Sequence, residues 1–436
     1  MKVAIIGLGF VGLSLASVLA SKGLMVTGLD IDKKKCHQIR NGISPFFEPN
    51  LLKTMKLGLK KNLKITSDFS SIIDSDLIFV TVGTPQKKDG SIELVMVKQA
   101  AKNIAKILAK NKKNQTVLIK STIIPGTMKN VILPILEKNS RKKAGRDFGL
   151  ISNPEFLQEG SAIKDTKFPH VIVLGGYKTK FMKKVEKFFG TLHPNVPIIV
   201  TNHQTAEMIK YANNSFLATK ISFINQLANI CENIPGANID DIAKTIGLDP
   251  RIGNLFLNAG PGYGGSCLPK DMKAMINFSN KTGISPNLLY AVEKTNQEQI
   301  DNVIGIMKKS LGKIKSKNIT ILGTAFKPDT DDIRDSVAIK LIKKLLKMGA
   351  KIIVHDPKAL ENTKRIFGDK ITYTTTLPYS LKNSQCAIIM THWKQYEQLN
   401  NNLIKKMKKK LIIDCRRILV NKKLNADYFA TGIGKN

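Results

Sequence analysis

Residues 3–12 read V-A-I-I-G-L-G-F-V-G, a short apolar run that feeds directly into glycines at Gly7, Gly9 and Gly12. Glycines in G-x-G-x-x-G spacing, straight after a strand and opening a helix, make a dinucleotide-binding turn. Gly7 permits the tight turn, Gly9 lets the backbone approach a pyrophosphate, and Gly12 lets helix and strand pack closely. Phe10 and Val11 open the helix, whose unpaired N–H groups suit phosphates. Asp30 ends the next strand, where a carboxylate accepts hydrogen bonds from ribose hydroxyls and repels a 2′-phosphate. That favours NAD over NADP. Lys33 to Lys35 stand beside Asp30, and Lys35 is counted with the cofactor residues.

Outward from this turn, short β-branched runs alternate with helical patterns, the signature of a parallel α/β sheet. Strands are predicted at Val3–Ile6, Met25–Asp30, Asp76–Val82, Thr116–Ser121, Phe148–Ser152, Val171–Leu174 and Ile198–Val200, with helices at Val11–Lys22 and Leu94–Ala109. From His203 to Glu232 there is neither glycine nor proline, and Met208, Ala212, Ser215, Phe216, Thr219 and Phe223 recur at helical spacing: one long helix. More helical segments follow to about Ser310. The α/β rhythm then resumes, with strands at Ile319–Leu322, Lys351–His355, Gln385–Met390 and Leu411–Asp414 and a helix at Ser336–Met348. No internal repeat is evident. The expected organisation is an N-terminal Rossmann domain over 1–202, a helical dimerisation region over 203–310 and a Rossmann-like α/β domain over 311–436.

The 436 residues include 42% hydrophobic types, enough for sizeable cores, and no apolar run reaches the ~18 residues of a membrane span. The run VAIIGLGFVGL carries three glycines and no cleavage pattern follows, so an unexported, cytoplasmic protein is expected. The five cysteines are scattered without C-x-x-C spacing, which points away from a zinc site or a disulfide framework. Lys plus Arg number 69 against 33 Asp plus Glu, a net charge of +36. The lysines are spread along the chain and one Trp offers no stacking platform, so neither nucleic acid nor a membrane surface is the expected partner.

Several segments carry chemistry. V-G-T-P (Val82–Pro85, with Thr84 and Pro85) and S-T-I-I-P-G-T (Ser121–Thr127, with Ser121 and Thr122) fall at strand carboxyl ends, where ligands bind in such sheets. N-P-E-F-L-Q-E-G (Asn153–Gly160) holds Glu155 and Glu159 four apart; on a helical turn they would share a face. Lys210 and Asn214 are likewise four apart on the long helix. In G-P-G-Y-G-G-S-C-L-P-K-D (Gly260–Asp271), glycines allow a ligand close to the backbone. Pro269 suits the first helical position, placing Cys267 at a helix N-terminus with Lys270 near, both of which stabilise a thiolate.

With AEMIKYANNSFLATKISFIN and AFKPDTDDIRDS (Ala325–Ser336), these segments in this order resemble the nucleotide-sugar 6-dehydrogenases of the UDP-glucose/GDP-mannose dehydrogenase family. The resemblance covers nearly the whole chain. It implies NAD as cofactor, no metal, a homodimer or higher homo-oligomer through the long helix, and a C-terminal domain that holds UDP; Gly323 there lacks the G-x-G-x-x-G pattern. It implies four-electron oxidation of the sugar C6 alcohol to a uronate, in supply of glycan precursors. Cys267 would be the nucleophile, with Lys210, Asn214 and Asp271 around the reacting carbon, Glu155 as acid/base and Thr122 positioning the reactive groups. Glu159 would lie near the nicotinamide, and Arg334 near the NAD phosphates with Lys270. Phe156, Leu157, Asn258, Tyr263, Gly264, Phe326, Lys327, Arg416 and Arg251, the last from a neighbouring subunit, would contact the sugar nucleotide.

Within the family, Tyr211–Asn225 and DPRIG (Asp249–Gly253) resemble the branch acting on UDP-glucose. Leu268 is the residue GDP-mannose enzymes often carry, so GDP-mannose and the UDP-N-acetylhexosamines stand as alternative substrates. A β-hydroxyacid or 6-phosphogluconate-type dehydrogenase shares the N-terminal turn but needs neither the cysteine nor a second nucleotide domain. A basic scaffold without enzymatic activity would rest on the charge alone.

Overall fold

The computed structural model describes residues 1–111 and 113–434. It divides into two compact units, Met1–Asn213 and a second that begins at Asn214. Each is organised around its own sheet.

The first unit carries eight strands: β1 (Lys2–Ile6), β2 (Met25–Leu29), β3 (Leu63–Thr66), β4 (Leu77–Val80), β5 (Thr116–Ile119), β6 (Gly149–Ser152), β7 (Ile172–Gly176) and β8 (Ile198–Thr201). Their order across the sheet is β3-β2-β1-β4-β5-β6-β7-β8. Strand order reverses between β1 and β4, which opens a crevice beyond their carboxyl ends. β4, β5 and β6 are buried along their whole length, as strands covered on both faces must be. The sheet is parallel except at one pair, where β7 runs antiparallel to β6, with Ile151 opposite Gly176. The main core packs Phe79, Phe188 and Phe189 with Val3, Ile5, Leu13 and Val185.

The second unit repeats the plan with β9 (Asn318–Leu322), β10 (Lys351–His355), β11 (Thr372–Thr374), β12 (Cys386–Ile389), β13 (Leu411–Asp414) and β14 (Asp427–Ala430). The order is β11-β10-β9-β12-β13-β14, and all pairs are parallel. Its core gathers Ile319, Ile321, Leu341, Ile388 and Ile413. The six strands of this sheet thus follow the same order as the first six of the other, although no repeat is visible in the sequence.

The long helix spans His203–Cys231. Tyr211, Ala218, Ile224 and Ala228 are fully buried on one side of it. Helices Ile239–Gly247, Leu268–Lys281 and Asn287–Leu311 follow. Asn238 caps the first of these by accepting from the Asp240 amide at 2.9 Å.

Candidate active site

Gly7 has φ +95, and a side chain there would strike the Val82 backbone at 2.9 Å, so only glycine fits. At Gly12 an added Cβ would meet the Gly7 carbonyl at 1.9 Å, which is the tight contact of helix Phe10–Ser21 with its strand. Gly9 differs, with nothing within 4 Å of the place a Cβ would take. The packing does not demand glycine there, and the open face leaves the backbone accessible to a pyrophosphate. Asp30 is buried and accepts from the Leu8 amide at 2.8 Å, the Asp32 amide at 3.0 Å and the Lys35 ammonium at 2.9 Å. A carboxylate has about four acceptor sites, so one remains for a ribose hydroxyl. Lys35 is therefore the ion partner of Asp30. These residues fit NAD.

Thr84 is buried and Pro85 exposed at the end of β4. The Ser121 hydroxyl donates to the Val82 carbonyl at 2.7 Å, which ties the Ser121–Thr127 loop to the Val82–Pro85 loop. Residues 153–158 form no helical turn, so the shared helical face expected for Glu155 and Glu159 is not built. Carboxylates take several of the amides here. Glu155 accepts from the Leu157 amide at 2.6 Å, and buried Glu48 accepts from the Gly160 and Ala162 amides at 2.7 and 2.8 Å.

Glu155 is buried, and its carboxylate pairs with Lys210 at 2.9 Å. The Lys210 ammonium also lies 5.5 Å from the centre of the Phe156 ring. Burial alone would raise the Glu155 carboxyl; Lys210, the Leu157 amide and Lys120 together outweigh it and hold the group below the ordinary range. Lys120 was not anticipated as a site residue. Its ammonium donates to the Asn153 side-chain carbonyl at 3.2 Å, and burial brings its pKa down to about 8, with Glu155 opposing and Lys210 adding to the shift. Two cations thus flank one carboxylate.

In the second unit, Cys267 occupies the N-cap of helix Leu268–Lys281, with Pro269 in the first turn. Of the five cysteines, four are buried and Cys267 alone is partly exposed. The Ser266 hydroxyl lies 3.5 Å from its sulfur. Asp271 is buried and held from two sides, by the Asn214 amide at 2.6 Å and the Lys270 ammonium at 2.5 Å. The Lys270 charge is engaged by Asp271, and Cys267 stands at a helix N-terminus, a position that favours a thiolate.

The glycines of the 260–265 loop answer to the protein itself. A Cβ at Gly260 would meet the Arg416 guanidinium at 2.7 Å, and one at Gly264 the Asp335 carbonyl at 2.6 Å. Gly265, with φ +89, packs against the Phe326 ring, which a Cβ would strike at 2.7 Å. The loop so gathers Phe326, Arg416 and Tyr263, whose amide donates to the Asn296 side chain at 2.7 Å. Lys327 lies 5.8 Å from the Phe326 ring centre. Arg416 donates to the Met390 carbonyl at 2.9 Å, and burial lowers its pKa to about 10. Asn258 is exposed. Arg251 is exposed and paired with Asp249 at 2.6 Å, and Arg334 is paired with Asp332 at 2.5 Å. Each of these two arginine side chains is bonded to a carboxylate two residues away, and the Arg334 carbonyl accepts from the Gly265 amide of the 260–265 loop at 3.0 Å.

A 3-2-1-4-5-6 sheet with a glycine turn open at Gly9, joined in one chain to a second such sheet and a cysteine at a helix N-terminus, defines a two-Rossmann dehydrogenase. Residues 1–193 match the NAD binding domain of the UDP-glucose/GDP-mannose dehydrogenase family, residues 204–298 its central domain and residues 320–421 its UDP binding domain. The chain belongs to this family. It is 38% identical to UDP-glucose 6-dehydrogenase AglM of Haloferax volcanii over 98% of this chain and 99% of that one. Identity is also 38% with UDP-glucose 6-dehydrogenase TuaD of Bacillus subtilis, over 100% of this chain and 93% of the other. Among solved structures, a UDP-glucose dehydrogenase from Pyrobaculum islandicum superposes with a TM-score of 0.91 at 31% identity, covering 99% of this chain and 98% of that one.

Proposed function

We propose that this chain oxidises UDP-glucose to UDP-glucuronate, consuming two NAD per sugar. The observation that carries this reading is the similarity of essentially the whole chain to UDP-glucose 6-dehydrogenases. Bound NAD accepts one hydride in each of two oxidations. In the first, the C6 hydroxyl proton passes to a water held by Asp271 and Lys210. The aldehyde cannot readily lose a second hydride until a nucleophile adds. The Cys267 thiolate adds to it, and Lys210 and Asn214 stabilise the thiohemiacetal oxyanion. Loss of the second hydride leaves a thioester, which water activated by Glu155 cleaves to the carboxylate and free thiolate. Thr122 and Glu159 position the reacting groups, and Phe326, Lys327, Arg416 and Tyr263 hold the nucleotide sugar. Arg334 serves the NAD phosphates, and Arg251 reaches the substrate of a neighbouring subunit.

The same reading divides the chain at 202 and 310 into NAD-binding, helical and UDP-binding regions and makes it a homodimer through the long helix. Phe216, Phe223 and Ile230 are exposed on that helix at seven-residue intervals, an apolar stripe that a second copy would cover. Among the described residues, no helix is long and apolar enough to cross a membrane. No disulfide joins the five cysteines, which supports a reducing cytoplasm. The test is NADH yield from limiting UDP-glucose with excess NAD, beside GDP-mannose and UDP-N-acetylglucosamine. Two NADH per UDP-glucose establish reaction and substrate together. One NADH removes the role of Cys267, and turnover only with another sugar nucleotide moves the protein to a sister branch.

A further inference from the structure

Glu207 is almost closed to solvent, with 2% exposure, and its two carboxylate oxygens accept from two backbone amides: Gly126 at 2.6 Å and Met128 at 2.7 Å. Those amides belong to the end of the Ser121–Thr127 loop and the helical turn Met128–Ile132 that follows it. Glu207 itself stands on the long helix, three residues before Lys210 and seven before Asn214. Residues three and seven apart lie on one face of a helix. One carboxylate therefore joins the face that carries Lys210 and Asn214 to the loop that carries Ser121 and Thr122.

The arrangement is more than a helix cap. The Ser121 end of the same loop is tied to the Val82 carbonyl, so the loop is pinned at both ends, to the cofactor side of the sheet and to the long helix. Thr122 and the residues around it hang between the two ties. The ionised carboxylate matches both amides best, because protonation makes one oxygen a donor and a weaker acceptor, so that one buried N–H is less well matched.

We infer that Glu207 is a positioning residue for cofactor binding, holding the Ser121–Thr127 loop in register with Lys210 and Asn214. The inference rests on the dehydrogenase reading above, in which that loop covers NAD. It adds a residue that touches neither cofactor nor substrate. Burial raises the Glu207 carboxyl to about 7, the two amides opposing the shift. The charged and titratable groups nearest to it along the chain are His203, Lys210 and the buried Tyr211 on its own helix and Lys129 in the helical turn. His203 is bonded to the Leu150 carbonyl, Lys210 is paired with Glu155, and Lys129 is exposed. None is an ion partner of Glu207, so its ionisation is available as a reporter of the tether.

The experiment measures NAD and UDP-glucose affinity separately by calorimetry on the full chain and on Glu207→Gln, across pH 6 to 9. The wild-type chain is expected to lose NAD affinity as pH falls through about 7. E207Q keeps the shape but not the charge. It should bind NAD about tenfold more weakly at pH 8 and show no pH dependence, while UDP-glucose affinity stays unchanged; kcat/KM for NAD should fall by up to ~10²-fold, the scale of a small misplacement. Glu207→Asp, which restores a carboxylate, should recover part of the loss. If E207Q does not fold, exchange of the 121–130 segment in the wild-type chain decides, and protection corrected for intrinsic rate should be lower at pH 6 than at pH 8. An E207Q chain that tracks the wild type at every pH overturns the inference. So does equal weakening toward NAD and UDP-glucose, which marks a merely structural role, and so does pH-independent protection. A wild-type chain that binds no NAD at all sinks the dehydrogenase reading itself and the inference with it.

Discussion

The Lys210 ammonium stands 2.9 Å from the Glu155 carboxylate, with only 5% and 7% of the two side chains open to solvent. Removing one partner of a buried pair strands the other charge. Glu155→Gln or Lys210→Met alone should therefore cost about 3–5 kcal/mol of stability, and the double substitution to apolar residues less than either. Denaturant unfolding of the three variants checks this, and additive losses would show the pair to be uncoupled. The Glu155 carboxyl is held below its ordinary value, so the unfolded chain takes up its proton first as pH falls. Its contribution to stability is present above the unfolded value near 4.5 and disappears as pH drops through the lower folded value. Unfolding midpoints of the wild type should fall steeply in that acid window, and those of Glu155→Gln more gently.

Lys120 titrates in the opposite part of the scale. Burial sets its folded pKa at about 8 against an ordinary 10.5, and between these limits the unfolded chain holds the proton that the folded chain has lost. Stability therefore gains from this group as pH rises from 8 towards 10.5, and Lys120→Met should lack that gain. The same charge flanks Glu155. A step in kcat near pH 8 in the wild type should vanish in Lys120→Met and also in Lys120→Arg, which keeps the charge at every pH in this range. A step unchanged in both variants would assign it elsewhere.

How much of this was readable beforehand depends on what each residue answers to. The interior strands were legible because β1, β4, β5, β9, β12 and β13 are buried over nearly their whole length and are largely apolar. β3, β11 and β14 were not read, since each has only three or four residues with a partly exposed pattern. The repeated strand order was hidden because the two first turns share a device and not a sequence. Gly7 donates to the Leu29 carbonyl and Gly323 to the His355 carbonyl, both at 2.8 Å. Asp30 and Asp356 then take the next amides, Leu8 and Thr324. Asp356 also receives Ala325, Lys358, Ala359 and the Trp393 ring nitrogen, so its acceptor sites are filled and none remains for a ribose. The motif residues of the site were found by spacing and family pattern. Glu207 and Lys120 escaped because a polar residue within an amphipathic helix or just past a strand looks ordinary until its partners are known.

The difference between the two aspartates yields a cofactor prediction. Asp30 keeps one acceptor site and stands beside Lys35, a cation that could pair with a 2′-phosphate once the carboxylate is gone. Asp30→Ser should lower kcat/KM for NAD and raise it for NADP, narrowing the preference by about 10²-fold, the scale of one buried charged contact. Asp30→Ser with Lys35→Ala should lose NAD activity without gaining NADP. Steady-state kinetics with both cofactors decide, and an unchanged ratio in Asp30→Ser would remove Asp30 from the ribose site.

Cys267 offers the sharpest separation of the two oxidations. The Cys267 side chain makes no capping hydrogen bond, and serine is itself a favoured N-cap residue, so the helix Leu268–Lys281 should stay intact and the melting temperature nearly unchanged. What it loses is the nucleophile, because a serine hydroxyl at neutral pH is not ionised as a thiolate at a helix N-terminus can be. Oxidation of the alcohol to the aldehyde does not use the sulfur, whereas removal of the second hydride does. Cys267→Ser should therefore release at most one NADH per sugar and form uronate at least ~10³-fold more slowly than the wild type, as loss of a covalent nucleophile does elsewhere. Full-rate uronate formation by this variant would refute the thioester route and leave the partly exposed thiol without a part in the chemistry.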